Sequence, residues 1–343
     1  MTDSRRVLVV YTGGTLGMQL TDRGWEPGAD LPGWLDELVA ADFPGLRWDL
    51  VSLDPLIDSS NAGPRDWQRI IDAVREHEHS HDAFVVLHGT DTMGFCAAAL
   101  HFALGSMGKP VVLTGAQRSF VVDDSDAPSN VRGALRCSLD PRFSSVAIWF
   151  DGTLMAGHHA TKISSEDDHA FDSVNIAPLA VLTDEAQLVF TEEAAAAPVA
   201  RLNERPKPYR DVDLVVLTLH PGLRAERLAA QLTPPPQAVV LRAYGTGNAP
   251  DNDPALLEAL SAASAAGSVV VVTTQCPHGA VHLGQYAVSQ GLLATGAVSG
   301  GDLTTDALVA WLTFLVCQDL SPAQIRDVVR EAISEGQRRR APD

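Results

Sequence analysis

A threonine follows two glycines near the start of the chain, in the run Gly13-Gly14-Thr15. Glycines allow a sharp turn, which leaves a hydroxyl and several backbone N–H groups free to meet a ligand. Thr15 is therefore a candidate nucleophile. The alternative is a turn or capping residue, a common role for threonine. The turn lacks the Lys-Ser or Lys-Thr pair that completes a P-loop. It also lacks the Gly-x-Gly-x-x-Gly spacing of a dinucleotide site.

A hydroxyl nucleophile needs a partner that accepts its proton. Thr90 and Asp91 follow a predicted strand, and Lys162 is expected in a later polar loop. Together these three side chains can form a proton relay. The alternative is that Thr90 or Asp91 caps a helix while Lys162 is solvated at the surface. Spacing alone leaves both interpretations open.

These residues lie where predicted strands end. Seven short apolar runs rich in β-branched residues predict strands that are buried on both faces: 7–11, 83–87, 110–113, 146–150, 214–217, 238–241 and 269–272. Helical patterns separate several runs, which favours βαβ units and a mostly parallel sheet. Hydroxyls, amides and glycines follow nearly every run, and ligands bind beyond the carboxyl ends of parallel strands. A small polar substrate is expected there.

The chain length of 343 residues favours two domains of unequal size. The segment 191–211 combines an alanine run with prolines and mixed charges and has no periodicity, so it is predicted to be a linker. The predicted fold class is α/β. A larger N-terminal catalytic domain, residues 1–190, has a mostly parallel sheet with flanking helices, and a smaller C-terminal α/β domain covers residues 212–343.

The charge balance argues against nucleic acid and membrane partners. The 25 Lys and Arg residues against 43 Asp and Glu give a net charge of -18, which repels phosphate backbones and anionic lipids. The longest apolar stretch, 307–317, is about half of a membrane span and predicts a buried helix. Four scattered cysteines and no recognisable export signal favour the cytoplasm.

A metal hydrolase is a formal alternative. The segment from His77 to His81 matches the H-E-x-x-H pattern of zinc proteases. It falls at the end of a predicted helix, where histidine is electrostatically ordinary, and no third ligand with suitable spacing follows. The same reasoning sets aside His158 and His159, so no metal is expected.

Two motifs carry a resemblance to a known family. The runs 11–17, YTGGTLG, and 88–93, HGTDTM, resemble the two signature motifs of bacterial L-asparaginases, specifically the cytoplasmic type I group. The similarity continues through 58–60, 161–162, 241–250 and 274–276, so it covers nearly the whole chain. It implies hydrolysis of L-asparagine to L-aspartate and ammonia through a threonine acyl-enzyme, without metal or organic cofactor, in a homodimer or homotetramer.

The resemblance also assigns roles to individual residues. It makes Thr15 the nucleophile and places Thr90, Asp91 and Lys162 in a second catalytic set. Substrate binding is assigned to Gly14, Asp58, Ser59, Ser60, Gly89, Thr90, Asp91 and Asn248. A possible effector site comprises Thr161, Arg242, Gln275 and Cys276.

These assignments agree with the physical chemistry of the side chains. Hydroxyl and N–H donors suit an α-carboxylate, and a fixed carboxylate suits an α-ammonium. The backbone N–H of Thr90 is a candidate donor to the developing oxyanion. A guanidinium suits an effector carboxylate, although an ion pair between Arg242 and an acidic neighbour is an equal alternative.

The chain departs from the family pattern in the loop after the nucleophile. Trp25 stands where the family usually has a tyrosine, and an indole cannot relay a proton. Tyr11 is adjacent in sequence to the turn, but as a strand residue it is expected to point away from the loop. A carboxylate neighbour favours the charged form of Lys162 while burial favours the neutral form, so its role as base or orienting group stays open.

Two further functions use the same motifs. An asparaginase-like subunit of a tRNA-dependent amidotransferase would release ammonia for a partner enzyme, and such subunits typically carry an extra N-terminal region. A non-catalytic amino-acid sensor on the same fold is the other alternative. Free ammonia release from asparagine without a partner separates the three.

Overall fold

A computed structural model describes residues 5–185, 187–191, 205–250, 254–284 and 287–340. The chain forms two compact units, Met1–Arg205 and Pro206–Asp343. Most of the predicted linker, 192–204, lies outside the described residues, so the proposed domain boundaries stay a prediction.

The first unit is built on one large sheet and two short hairpins. Its strands are β1 (Arg6–Tyr11), β2 (Met18–Thr21), β3 (Gly24–Pro27), β4 (Arg47–Ser52), β5 (Ala83–Leu87), β6 (Val111–Thr114), β7 (Val146–Phe150), β8 (Thr153–Ala156), β9 (Ala160–Lys162), β10 (Phe171–Ser173), β11 (Ala180–Leu182) and β12 (Leu188–Phe190). The large sheet has eight strands in the order β12-β11-β8-β7-β6-β5-β1-β4. Strands β4, β1, β5, β6 and β7 are parallel, and β8, β11 and β12 continue the sheet in antiparallel pairs.

Four helices accompany these strands: α1 (Leu31–Asp42), α2 (Pro64–Glu76), α3 (Met93–Leu104) and α4 (Ala127–Leu139). The residues of β5, β6 and β7 are all buried, because the sheet is covered on both faces at its centre. One face packs on α1 and α4 through Leu35, Val131 and Trp149. This central, parallel part of the sheet is the rigid frame from which the polar loops project.

The second unit has a smaller parallel sheet in the order β13-β14-β15-β16. Its strands are β13 (Leu214–Thr218), β14 (Ala238–Ala243), β15 (Val269–Thr274) and β16 (Val298–Ser299), and its helices are α5 (Ala225–Gln231), α6 (Pro254–Ala265), α7 (Ala287–Ala294), α8 (Thr305–Cys317) and α9 (Pro322–Arg340). The α/β class, with a mostly parallel first sheet and a smaller α/β unit at the C-terminal end, is confirmed.

Every predicted apolar run coincides with an observed strand, and the stretch 307–317 is the buried α8. Among the described residues, no helix has the length and apolar character needed to cross a membrane. The four cysteines are unpaired, and Cys96, Cys137 and Cys317 are buried. Burial raises the pKa of the Cys96 and Cys137 thiols, so both behave as small apolar side chains.

Candidate active site

The first polar loops are brought together by the register of the parallel strands. Tyr11 at the end of β1 pairs with Leu87 at the end of β5, which in turn pairs with Thr114 at the end of β6. The backbone N–H and the hydroxyl of Thr12 both donate to the Leu87 carbonyl, at 3.0 and 2.9 Å. The loops that follow these strands therefore start side by side at one edge of the sheet.

Two glycines allow these loops to touch. Gly14 has a φ of 93°, and a Cβ at this position would collide with the backbone of Gly89. A Cβ at Gly89 would in turn collide with the Ser59 side chain. The close approach explains why glycine occupies both positions, since any side chain would separate the loops. It also places three predicted site segments in contact.

Thr15 begins a short 3-10 helix, Thr15–Gly17, directly after this glycine turn. The side chain of Thr15 is half-buried, whereas Leu16 is buried in the core beside it. The buried Leu16 side chain attaches the turn to the hydrophobic core. The structure thus holds Thr15 at the carboxyl end of β1, as the sequence predicts.

Lys162 contacts the two candidate residues of the second motif. Its Nζ donates to Thr90 Oγ1 at 2.8 Å and to Asp91 Oδ1 at 2.9 Å. Thr90 is buried, and the Asp91 side chain is 62% exposed. Strand β9 carries Lys162 to this point from a part of the chain far away in sequence. The three side chains predicted as a relay therefore form one hydrogen-bonded group.

Gln117 extends this group and is a residue that the sequence interpretation missed. Thr90 Oγ1 donates to Gln117 Oε1 at 3.3 Å, and Gln117 Nε2 donates to the Asp167 carbonyl at 3.2 Å. The Gln117 backbone N–H donates to the buried carboxylate of Asp126 at 2.8 Å. The only sequence signal was that Gln117 belongs to a polar run after β6.

Arg118 ties the same loop to the β9–β10 hairpin. Its guanidinium lies 2.7 Å from the Asp168 carboxylate, which raises the pKa of Arg118 and lowers that of Asp168. The backbone N–H of Arg118 also donates to Asp126 at 2.9 Å. The loop after β6 and the hairpin that carries Lys162 are thus joined at two neighbouring points.

The segment from Asp58 to Ser60 lies against the second motif. The hydroxyl of Thr92 donates to the Ser59 carbonyl at 2.7 Å, and Ser59 is buried. Asp58 caps a 3-10 turn, because its carboxylate accepts from the Ser60 N–H at 3.0 Å and from the Asn61 amide at 2.9 Å. Both Asp58 oxygens have protein partners, so this side chain shapes the turn that presents Ser59 and Ser60.

The segment after Thr15 is a hairpin, β2–β3, in which Trp25 pairs with Leu20. Trp25 is 47% exposed. Tyr11 is buried, and its hydroxyl lies against Gly17, where a Cβ would collide with it. The expectation that Tyr11 points away from this segment was wrong, because its ring packs under the turn. Burial raises the pKa of Tyr11, so its hydroxyl holds its proton.

His77 and His81 have protein partners. The ring of His77 lies 2.9 Å from the Ala73 carbonyl, and the ring of His81 lies 2.8 Å from Asp49 and 3.0 Å from the Ser80 hydroxyl. Helix α2 ends at Glu76, before this segment. Across the described ranges, no group of His, Cys, Asp and Glu residues has an arrangement that holds a metal ion.

Three predicted effector residues and Asn248 lie in the second unit. Gln275 Nε2 donates to the carbonyls of Leu219 and Arg242, at 2.7 and 2.9 Å. Among the described residues, Arg242 Nε and Asn248 Oδ1 are buried without a hydrogen-bond partner. Cys276 is exposed. Thr161 belongs to the first unit, in β9 beside Lys162.

Comparison with known families gives two matches that together span most of the chain. Residues 6–195 match the model described as "Asparaginase, N-terminal", and residues 213–329 match "Glutaminase/Asparaginase C-terminal domain".

Individual relatives agree with these models. The chain is 34% identical to L-asparaginase 1 of Escherichia coli K12, over 95% of this chain and 96% of that protein. It is 29% identical to a glutamyl-tRNA(Gln) amidotransferase subunit of Pyrococcus horikoshii, over 92% of this chain and 73% of that protein. The crystal structure of L-asparaginase I from Vibrio cholerae superposes with a TM-score of 0.86 at 31% identity, covering 96% of this chain and 98% of that one.

Proposed function

The chain belongs to the asparaginase family, and from that premise we propose that it is an L-asparaginase that hydrolyses the side-chain amide of L-asparagine. The observation that carries this proposal is the hydrogen-bonded group of Lys162, Thr90 and Asp91 beside the Gly14–Thr15 turn. A hydroxyl in a tight turn, with a second hydroxyl on the loop that this turn touches and an amine bonded to that second hydroxyl, fits nucleophilic acyl transfer.

Thr15 acts as the nucleophile in this proposal. Its oxygen attacks the amide carbon, the C–N bond breaks, and ammonia leaves with the hydroxyl proton. Water then hydrolyses the threonine ester, which releases aspartate and restores the hydroxyl. We assign the backbone N–H of Thr90 as the donor to the oxyanion that develops in each half-reaction, where a fixed donor lowers the barrier.

Lys162 orients Thr90 in this reaction. Its Nζ donates at once to the Thr90 hydroxyl and to the Asp91 carboxylate, so the two contacts hold the Lys162 amine and the Thr90 hydroxyl in a fixed arrangement. Thr90 is then the group that contacts the moving proton. The orienting role of Lys162 is supported by its two short hydrogen bonds, to Thr90 and to Asp91.

The substrate's charged groups meet a complementary set of donors and acceptors. Ser59, Ser60 and the backbones of Gly14 and Gly89 offer donors to the α-carboxylate. The Asp91 carboxylate, which is exposed apart from its contact with Lys162, binds the α-ammonium. Asp58 supports Ser60 from behind through its turn.

The active unit is at least a homodimer, in which Asn248 reaches the substrate site of a neighbouring subunit. The protein works in the cytoplasm. Arg242, with Gln275 and Cys276, binds a second asparagine, and the family resemblance assigns Thr161 to the same role. A guanidinium suits bidentate binding of an α-carboxylate, which supports the effector role of Arg242. Neither metal nor organic cofactor takes part.

The test is a steady-state assay of the purified chain with asparagine or glutamine, with and without a chelator. Ammonia and aspartate should form in equal amounts from asparagine, and the rate should be the same with and without the chelator. Ammonia production that requires a partner enzyme would favour the amidotransferase alternative, to which the relative from Pyrococcus horikoshii is pertinent. Asparagine binding without turnover would favour a sensor.

A further inference from the structure

The side-chain amide of Gln117 has a defined partner at each end. Its Oε1 accepts from Thr90 Oγ1 at 3.3 Å, and its Nε2 donates to the Asp167 carbonyl at 3.2 Å. The two ends of an amide look alike in shape but differ in hydrogen bonding. Because a carbonyl oxygen only accepts, the NH2 end must face Asp167. The carbonyl end of Gln117 therefore faces Thr90.

This orientation determines the direction of the Thr90 hydroxyl. A hydroxyl has one hydrogen and two lone pairs, and Lys162 Nζ, which donates to Thr90 Oγ1, occupies one lone pair at 2.8 Å. The hydrogen points to Gln117, which presents an acceptor there. Among the described residues, no other group bonds Thr90 Oγ1, so its second lone pair stays available.

Gln117 is itself held in place. Its backbone N–H donates to Asp126, whose carboxylate also accepts from Arg118 N–H and from the buried Asn130 amide. The adjacent ion pair between Arg118 and Asp168 secures the segment that supplies the Asp167 carbonyl. The backbone of Gln117 and the segment that accepts from its Nε2 are therefore both fixed by further contacts.

We propose that Gln117 is a positioning residue that turns the Thr90 hydrogen away from the substrate and leaves one Thr90 lone pair open to hydrogen-bond the proton as it passes from Thr15 to the departing ammonia. The inference rests on the proposed function, in which Thr90 contacts that proton. Within the described ranges, the Gln117 side chain forms no hydrogen bond with Thr15 or with the groups assigned to the substrate's charges. Its effect on the reaction therefore passes through Thr90.

The test compares Gln117→Met with Gln117→Glu. Methionine has a similar volume but offers no strong acceptor, so kcat should fall about tenfold or more while KM changes by less than about threefold. Glutamate keeps the acceptor for Thr90 but repels the Asp167 carbonyl, so its kcat should lie between those of Gln117→Met and the wild type. A packing role predicts the reverse order, because methionine packs better than a half-buried carboxylate.

Thr90→Val supplies the control background. If Gln117 acts through the Thr90 hydroxyl, Gln117→Met should not lower kcat further in that background. Melting temperatures of all variants identify any loss of folding. A wild-type level of kcat in Gln117→Met, or a full additional loss in the Thr90→Val background, overturns the inference while the wild type still hydrolyses asparagine. Failure of the wild type to release ammonia would overturn the proposed function instead.

Discussion

At the scale of single residues, the candidate site depends on where hydrogens and lone pairs point. Thr90 gathers three distant parts of the chain, since its hydroxyl contacts Lys162 from β9 and Gln117 from the loop after β6. In the proposed reaction, Thr15 is the nucleophile held by the glycine turn, whereas Thr90, in the neighbouring loop, contacts the proton that moves. This division allows each threonine to be tested separately.

Thr15→Ala should abolish turnover without unfolding the protein, because it removes a half-buried hydroxyl from a turn and no volume from the core. We expect kcat to fall on the order of a thousandfold or more if the reaction is covalent. Thr15→Ser is the matched control, since it keeps the nucleophilic oxygen. The measurement is ammonia release together with the melting temperature.

An unchanged melting temperature with more than about a tenth of the wild-type kcat in Thr15→Ala would show that another group is the nucleophile. Equal losses in the alanine and serine variants would also contradict the proposal, because only one of them lacks the hydroxyl.

The sequence predicted the threonines and Lys162 but not Gln117. Thr15 and Thr90 lie in compact motifs that can be recognised without a structure. Gln117 is an ordinary polar residue whose importance depends on two contacts across the chain, with Thr90 and with the backbone of Asp167. The packing of Tyr11 under Gly17 was missed for the same reason, since strand periodicity gives the face of a side chain but not what covers that face.

At the scale of elements, strands with a continuous apolar run were predictable and the polar or very short strands were not. Strands β1, β5 and β7 are continuous apolar runs, which parallel strands covered on both faces require. Strand β4 is half-exposed at the sheet edge, and the three-residue strands β9 to β12 are too short to show a period. The position of Lys162 on β9 therefore could not be derived from pattern alone.

The contact between α4 and β7 sets a strict limit on side-chain volume. A Cβ at Gly133 would collide with the Trp149 indole, which is fully buried. Gly133→Ala should destabilise the protein by about 1–3 kcal/mol, as overpacked cores do. We expect a melting temperature lower by several degrees.

Gly336→Ala in α9 is the matched control, since nothing lies within 4 Å of its added Cβ. Helix propensity predicts a gain of up to about 1 kcal/mol there. Equal effects at the two glycines would mean that the Trp149 contact does not limit α4.

Asp49 links β4 to its neighbours and gives a pH-dependent stability. The Arg6 guanidinium, together with the His81 ring, lowers the pKa of the Asp49 carboxyl from 3.8 to about 2. A lowered pKa in the folded state stabilises the protein above the unfolded-state value, and this stabilisation is lost as the pH falls toward the folded-state value.

Asp49→Asn should therefore melt at a lower temperature than the wild type near neutral pH. The difference should shrink as the pH falls from about 4 to about 2. Arg6→Gln should show the same convergence, because it removes the main cause of the shift. The effect should be modest, since the carboxylate is 39% exposed. A difference that is constant across this range would show that the pair does not control acid stability.

At the scale of the whole molecule, both compact units match models of one family, so the second unit is part of the same enzyme architecture. The net charge of -18 disfavours nucleic acid and anionic membranes as partners. In the proposed function, the catalytic residues belong to the first unit, whereas Arg242 and Asn248 belong to the second.

Cooperativity in asparagine is the whole-molecule property that the proposed effector site predicts. If Arg242 binds a second asparagine, its guanidinium captures the α-carboxylate, and effector binding must favour one of two states with different activity. The initial rate of the wild type should then be sigmoidal in asparagine concentration, and Arg242→Ala should make it hyperbolic. Gln275→Glu is a second variant to measure, because a carboxylate cannot donate to the Leu219 and Arg242 carbonyls as the Gln275 amide does. Sedimentation at the assay concentration should show at least a dimer. A hyperbolic wild-type curve over the full range would show that the residues around Arg242 serve the fold rather than regulation.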